Sequence, residues 1–468
     1  MSKIEVNTVA PQCGTTLTLG ESGDTVTLGA GASQSGFGRS GSVNWQTTPK
    51  TATFTPTNGE GYFINSGSAL TANLPAGSAG AIVAFSDYAR NFATYNFTIS
   101  PNGSEKIGGT AADAVLNVNG QAATFVYVDS TKGWINVQNA EDSVVAAQYI
   151  TATGGNTIST VCTNFKAHIF TGPGTFCVSC AGNAAGSNKV DYLIVAGGGG
   201  GTTQHSGGGG AGGFRGSFPS PGCNAGTTPV SVQGYPVTVG GGGAKTASGP
   251  SINVNATSGV NSTWNSITST GGGGGGGYNG SGPYRAGSTG GSGGGGASGS
   301  PGPSTSQQGA GGAGNTPPVC SPASPVQGHA GGYGVGHVYG GGGGGGAAAA
   351  GENANPNAGD GGAGKQNNIC GNNYYWSGGG AGGSHSNPGG AGGIGGGGGG
   401  GANPCGTAGA GGGSAINAGG AGANGPGAPS IGGDGGDNTG GGGGSAGNSC
   451  ALGGNGGSGI VIIRYKFQ

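Results

Sequence analysis

The apolar positions of this chain fall into three regimes. Between Thr51 and Val137 they alternate with polar ones in short runs: Thr51–Thr55, Gly61–Asn65, Leu70–Leu74, Ala81–Asp87, Asn96–Ser100, Val115–Val118, Ala123–Val128 and Gly133–Val137. Turn residues such as Pro75-Ala76-Gly77 and Asp129-Ser130-Thr131-Lys132-Gly133 separate them, and no stretch carries a helical period. Regularly broken two-residue alternation predicts a β-sandwich or barrel. Its expected core aromatics are Trp45, Phe54, Phe63, Phe85, Phe125 and Trp134. The second regime is a pair of uninterrupted runs, Val190–Val195 and Gly459–Phe467, rich in β-branched residues and read as buried strands. The third lies between them, from Ala196 to Gly459, and has almost no hydrophobic pattern at all.

That third regime is glycine. Most of the 126 glycines fall there, with unbroken tracts at 197–201, 271–277, 340–346, 395–401 and 440–444. Glycine loses the most backbone entropy on ordering and brings no side chain to a core. Such a stretch is either disordered or silk-like, or it is held by its own backbone. The flanking strands favour the second answer: paired in one sheet, they tie entry to exit and make the region one folded insertion. A stack of polyglycine II helices satisfies the backbone. Three residues per turn at a rise of about 3.1 Å point every N–H and C=O outward, where only neighbouring helices supply partners. Turns between tracts then carry the other residues, as in Tyr278–Arg285 and Gln366–Trp376. The glycines lack the strict three-residue period of collagen. The expected fold class is mainly β with almost no α-helix. An extended N-terminal segment precedes a β-sandwich-like module, and a small β framework then holds a large polyglycine II lattice.

The chain of 468 residues divides accordingly. Residues 1–42 are polar and extended, with Thr16-Leu-Thr-Leu-Gly20 echoed by Thr25-Val-Thr-Leu-Gly29, and are too short to bury a core alone. The β module covers 43–138 and a linker 139–147. The glycine-rich domain covers 148–468, with strands near 148–195 and 459–467 around a lattice at 196–459.

Charge narrows the function. Only 6% of residues are charged and the formal net charge is −1, so neither a basic cluster nor nucleic-acid binding is expected. No run of some 18 apolar residues predicts a membrane insertion, and Met1–Val6 lacks the apolar core of a signal peptide. Nine cysteines are present, eight of them after residue 160. Cys177-Val-Ser-Cys180 has C-x-x-C spacing without a second pair, so loop-stapling disulfides are favoured over a zinc or redox site.

Several segments carry a resemblance. They are Tyr149–Gly155, His168–Phe176, Asp191–Gly201, Gly207–Gly216 and Gly459–Tyr465. In that order they resemble the glycine-rich domain of bacteriophage tail fibres, over residues 148–468. Val43–Thr47, Gly59–Phe63 and Tyr127–Trp134 are similar to β modules of fibre proteins in phages of aquatic bacteria, and Ser2–Leu28 to their virion-attachment end. The resemblance implies a homotrimeric fibre located on the virion. Its N-terminus would join other tail proteins, and its glycine-rich tip would bind a bacterial surface receptor, either a glycan or an outer-membrane protein. The eight cysteines in and around the glycine region depart from many relatives.

No catalytic constellation, cofactor site or metal site is expected. His168, His205, His329, His337 and His385 lack orienting carboxylates, no glycine tract leads into a Lys–Ser/Thr pair, and no paired acids suit a glycosidase. Asp87, Arg90 and Asp129 read as turn and surface residues. Receptor contacts are expected at loop aromatics, which bring large area at low entropy cost. These are Tyr374, Tyr375 and Trp376 first, then Tyr278, Tyr284 with Arg285, Tyr333, and His337 with Tyr339. Alternatively, any of these rings caps the lattice. The rival functions are a head or tail decoration fibre with no receptor role, a cellular surface protein, and a polysaccharide-degrading spike.

Overall fold

The computed structural model describes residues 43–140, 147–218, 228–246, 254–278, 286–299, 309–318, 326–336, 339–403, 406–424, 429–448 and 451–468. The attachment segment expected at 1–42 lies outside them. The described residues are all β and irregular structure, with no α-helix. The chain forms two compact units, dividing between Val145 and Ala146.

Among its described residues the first unit has eight strands: β1 (Asn44–Lys50), β2 (Glu60–Ile64), β3 (Leu70–Asn73), β4 (Ile82–Asp87), β5 (Phe97–Ser100), β6 (Ala114–Leu116), β7 (Ala122–Asp129) and β8 (Gly133–Ala140). One sheet runs β1-β2-β4-β7-β8 and a second β3-β5-β6. Both supply one core, in which Phe85 lies 5.2 Å from Phe97 and Phe97 stacks on Phe92 at 5.5 Å. The winding departs from an ordinary antiparallel sandwich. Strands β1, β2 and β4 are mutually parallel, as are β3 and β5, and Phe54 bridges Ala72 in parallel. The chain therefore coils from sheet to sheet before antiparallel β6, β7 and β8 close it.

Strand period corrects the expected core. Phe85, Phe125 and Trp134 are buried, and Phe54 packs half-buried against them. Tyr62 and Ile64 take the inner face of β2, so Phe63 falls on the outer face, where the exposed Trp45 lies against it. Asp87 is not a surface residue either: it is buried, and its Oδ2 accepts from the N–H groups of Phe92 and Gly120.

The second unit begins with β9 (Ile150–Thr153), β10 (Thr157–Val161), β11 (Phe165–Phe170), β12 (Gly174–Ala181) and β13 (Lys189–Val195). Further strands follow: β14 (Phe214–Gly216), β15 (Thr228–Pro229), β16 (Gly234–Thr238), β17 (Ser262–Trp264), β18 (Ile267–Ser269), β19 (Lys365–Asn367) and β20 (Tyr374–Trp376). The last is β21 (Ile460–Lys466). It lies between β11 and β13, antiparallel to both, and Val195 pairs with Ile460. Entry to and exit from the glycine region are thus clamped side by side. Val461, Ile463 and Tyr465 face a core shared with the sheet β18-β17-β16-β12-β9. Ile460 and Ile462 face another core, built with Phe214, Phe218, Ile369 and Trp376. Burial on both faces explains the unbroken apolar run.

Hydrogen bonding identifies the lattice. The N–H groups of Gly197 and Gly200 donate to Val260 and Thr257, those of Gly198 and Gly201 to Gly457 and Gly454, and that of Gly199 to Gly210. Carbonyls of the same tract accept from Gly272 and Gly275, from Gly243 and Thr246, and from Gly443. Partners repeat every third residue and rotate among six neighbouring segments, antiparallel on the donor side. That is threefold polyglycine II helix in a hexagonal surround. At most glycines of the tracts, neighbours are too close for a side chain. A Cβ at Gly198, Gly344 or Gly442 would sit 2.0–2.1 Å from a neighbour's carbonyl oxygen.

The staples expected from the cysteines are not seen where the structure can show them. Cys177, Cys180 and Cys370 carry free thiols, while Cys13, Cys223, Cys320, Cys405 and Cys450 lie outside the described residues.

Candidate functional site

With its interior committed to backbone, the lattice can present chemistry only where tracts turn. One set of turns converges. After Gly201 the chain reverses through Gln204 and His205, held at φ 62° and 40°. Left-handed non-glycine residues are uncommon and need support. It comes from their N–H groups, which donate to Asn448 and Ala446 at 3.2 and 2.9 Å, and from Thr202, whose hydroxyl donates to the Gly207 carbonyl at 3.0 Å.

This reversal delivers the His205 ring into a cluster. Tyr278 stacks on it at 4.9 Å with planes 15° apart, and Tyr339 and His385 lie at 5.4 and 5.5 Å. Tyr339 and His385 are themselves 5.7 Å apart. A pocket of about 330 Å³ opens beside them, lined by Gln204, His205, Tyr339, His385, Ser386 and Asn448. Burial, and after it the nearby His385, push the His205 imidazole down to about 3. It is therefore neutral at ordinary pH, with one nitrogen a donor and the other an acceptor. Neither has a partner among the described residues. Around His385 a polar chain runs: Asn448 Nδ2 donates to Asn403 Oδ1 at 3.4 Å, Asn403 Nδ2 to His385 Nε2 at 3.2 Å, and His385 Nδ1 to Ser386 Oγ at 3.1 Å. The arrangement offers aromatic faces beside polar donors and acceptors. Among the described residues no three His, Cys, Asp or Glu side chains group to hold a metal ion.

The predicted residues divide. Tyr278 and Tyr339 meet at this cluster. Trp376, the leading expectation, does not present itself: it is fully buried on β20, its Nε1 donating to the Asn367 carbonyl at 3.3 Å. Tyr374 and Tyr375 are half-buried on the same strand, and Tyr374 packs edge-on against Trp376 at 5.9 Å. The expected binding loop is a hairpin that plugs the core beneath β21, because strand alternation turns the largest ring inward. Tyr333 is exposed and does not line the pocket. Tyr284, Arg285 and His337 lie outside the described residues. Sequence reasoning passed over His205 and His385 because it looked for carboxylate partners. The turn rule that selected the tyrosines selects them too, in Thr202-Thr-Gln-His-Ser206 and Ser384-His-Ser386.

These features define a class: an all-β protein built around a polyglycine lattice that exposes side chains at its turns. The chain belongs to the glycine-rich domain family, whose sequence profile matches residues 170–429, more than half of its length. The structural unit is larger than that match, since β21 closes it. No curated protein matches the chain.

Proposed function

We propose that this chain is a fibre protein of a bacteriophage tail. Its N-terminal segment joins other virion proteins, it assembles as a homotrimer, and its glycine-rich tip binds the surface of the bacterial host. The observation that carries the reading is the cluster of His205, Tyr278, Tyr339 and His385 at turns of a backbone-bonded lattice. A rigid scaffold presents such a surface with little ordering cost on binding. The resemblance of residues 148–468 to phage tail-fibre domains supplies the biological setting. Weak single contacts suffice, because several fibres on one particle raise the effective concentration. The contact uses an outer-membrane protein or a glycan, and with so few charges it depends weakly on salt.

The purified full chain, added to host cells before the phage that encodes it, should block adsorption. A Tyr339→Ala/His385→Ala version with an unchanged melting temperature should not. Antibody labelling should find the chain on the tail. Labelling on the head with no competition would favour a decoration fibre and end the adhesin reading.

A further inference from the structure

Strand β12 carries the Cys-x-x-Cys pair, and a bulge decides where its thiols point. Up to Val178 the strand alternates strictly: Phe176 and Val178 are buried in the core, while Thr175 and Cys177 are exposed. Continued alternation would send Cys180 inward beside Val178. Instead the register against β9 shifts between Val178 and Cys180, which sets Cys177 opposite Thr153 and Cys180 opposite Thr151. Directly opposite residues of an antiparallel pair share a face, and Thr151 and Thr153 are both exposed. The inserted Ser179 therefore brings both thiols to the solvent face of one strand, Cys177 exposed and Cys180 half-buried. Ser179 itself turns its hydroxyl to the Thr151 carbonyl at 3.1 Å. On the other flank Cys177 pairs with Gly234, which has no side chain to lie over the sulfur.

Both thiols are free. Their spacing follows that of Thr151 and Thr153, two strand residues or about 7 Å. Side chains rising together from such a span exceed the roughly 3.5–4.5 Å between Cβ atoms that a disulfide needs. The pair is thus kept from closing on itself. Nor does it suit zinc, whose structural sites take four ligands, because no three His, Cys, Asp or Glu side chains group among the described residues. One ion between the two sulfurs does fit. With bonds of about 2.3 Å, as for a zinc–thiolate bond, the sulfurs stand about 4.6 Å apart, which side chains leaning together from a 7 Å span can reach.

We propose that Cys177 and Cys180 bind a soft, two-coordinate, monovalent cation of the copper(I) class. Each thiol releases its proton to water and its sulfur gives a lone pair to the metal, with no change of oxidation state. Thiolate is the donor that such ions select over harder nitrogen and oxygen ligands. The net negative charge of the two thiolates and one cation stays on the solvent face, where water screens it. This site belongs to the second unit and does not depend on the tail-fibre reading.

The test is copper(I) titration of the full chain without oxygen, in competition with the chromophoric chelator bicinchoninate, whose colour reports the copper it loses. Other cysteines also take copper, so the readout is the difference in equivalents bound. Cys177→Ser and Cys180→Ser should each lose one equivalent relative to the wild type. The double variant should lose no more than either, because one ion needs both sulfurs. If the half-buried Cys180→Ser melts early, Cys177→Ser decides alone. A Cys177→Ser chain that keeps the wild-type equivalents overturns the proposal. So does a double variant that loses twice what each single variant loses, which would mean two separate thiols and no shared ion.

Discussion

Replacing one lattice glycine by alanine adds a single methyl group, yet the structure predicts a large loss. At Gly344 the new Cβ would lie 2.0 Å from the Gly209 oxygen and 2.5 Å from its carbonyl carbon. That oxygen accepts from Gly380, Gly380 accepts from Gly344, and Gly344 accepts from Gly362, at 2.8–2.9 Å. Restoring van der Waals distance means moving one helix by about 1 Å, which breaks or bends two or three of these bonds. A buried backbone group left unpaired costs about 1–3 kcal/mol, so two or three of them cost about 2–9 kcal/mol. The reduced freedom of the unfolded chain returns only about 0.4–1 kcal/mol. Gly413 is the control: its Cβ would meet nothing within 4 Å and its φ is not positive. Gly413→Ala should be neutral or slightly stabilising. Thermal melts followed by circular dichroism should separate the pair by about 5 °C or more. Equal melting temperatures, or equal losses, would refute a backbone-bonded lattice.

Trp376→Ala should cost about 3–5 kcal/mol in denaturant unfolding, as a core ring does, whereas Tyr375→Ala should cost far less. His205 and His168 both have imidazoles held below the usual value, mainly by burial. The unfolded chain takes up a proton below about pH 6.5 and the folded one resists, so stability present above that pH is lost as pH falls. For His205 the loss extends toward pH 3, at up to about 1.4 kcal/mol per unit. His205→Gln should therefore narrow the gap between melts at pH 7 and pH 4, and an unchanged gap would exclude His205 as the source. Arg464 is buried with its guanidinium 4.2 and 4.5 Å from the Phe165 and Phe218 rings. Arg464→Lys keeps the charge but loses the flat stack, and should lower stability by about 1–2 kcal/mol in the same assay.

The clamp was legible because a strand buried on both faces cannot hide its apolar run, and Val190–Val195 and Ile460–Lys466 show one each. The lattice was legible because nothing but backbone bonding can order tracts of glycine. What the pattern could not give is partnership. Alternation assigns a residue to a face, not a strand to a neighbour, so two sheets around one core were expected but the parallel order of β1, β2 and β4 was not. Alternation also counts from a fixed start: taking Trp45 and Phe63 as inward put them one residue out of phase with Tyr62 and Ile64. Within the glycine region there is no side-chain pattern to say which tracts touch, so the meeting of His205 with Tyr278, Tyr339 and His385 was hidden. Trp376 misled for a related reason. Set among asparagines and glycines it has the composition of a loop, while its environment comes from Phe214, Phe218 and Ile460, remote in the chain.

The central position of β21 has a consequence for synthesis. Strands β11 and β13 leave the ribosome early, but the strand that joins them follows the entire glycine region. At ordinary elongation rates of about 5–20 residues per second, the wait is on the order of tens of seconds. Through that interval the nascent chain exposes two unfilled sheet edges, the feature most prone to mispairing. What lengthens meanwhile is glycine, which offers few apolar side chains to stick to. The frame is therefore finished last, around a filling that has little to aggregate by while it waits.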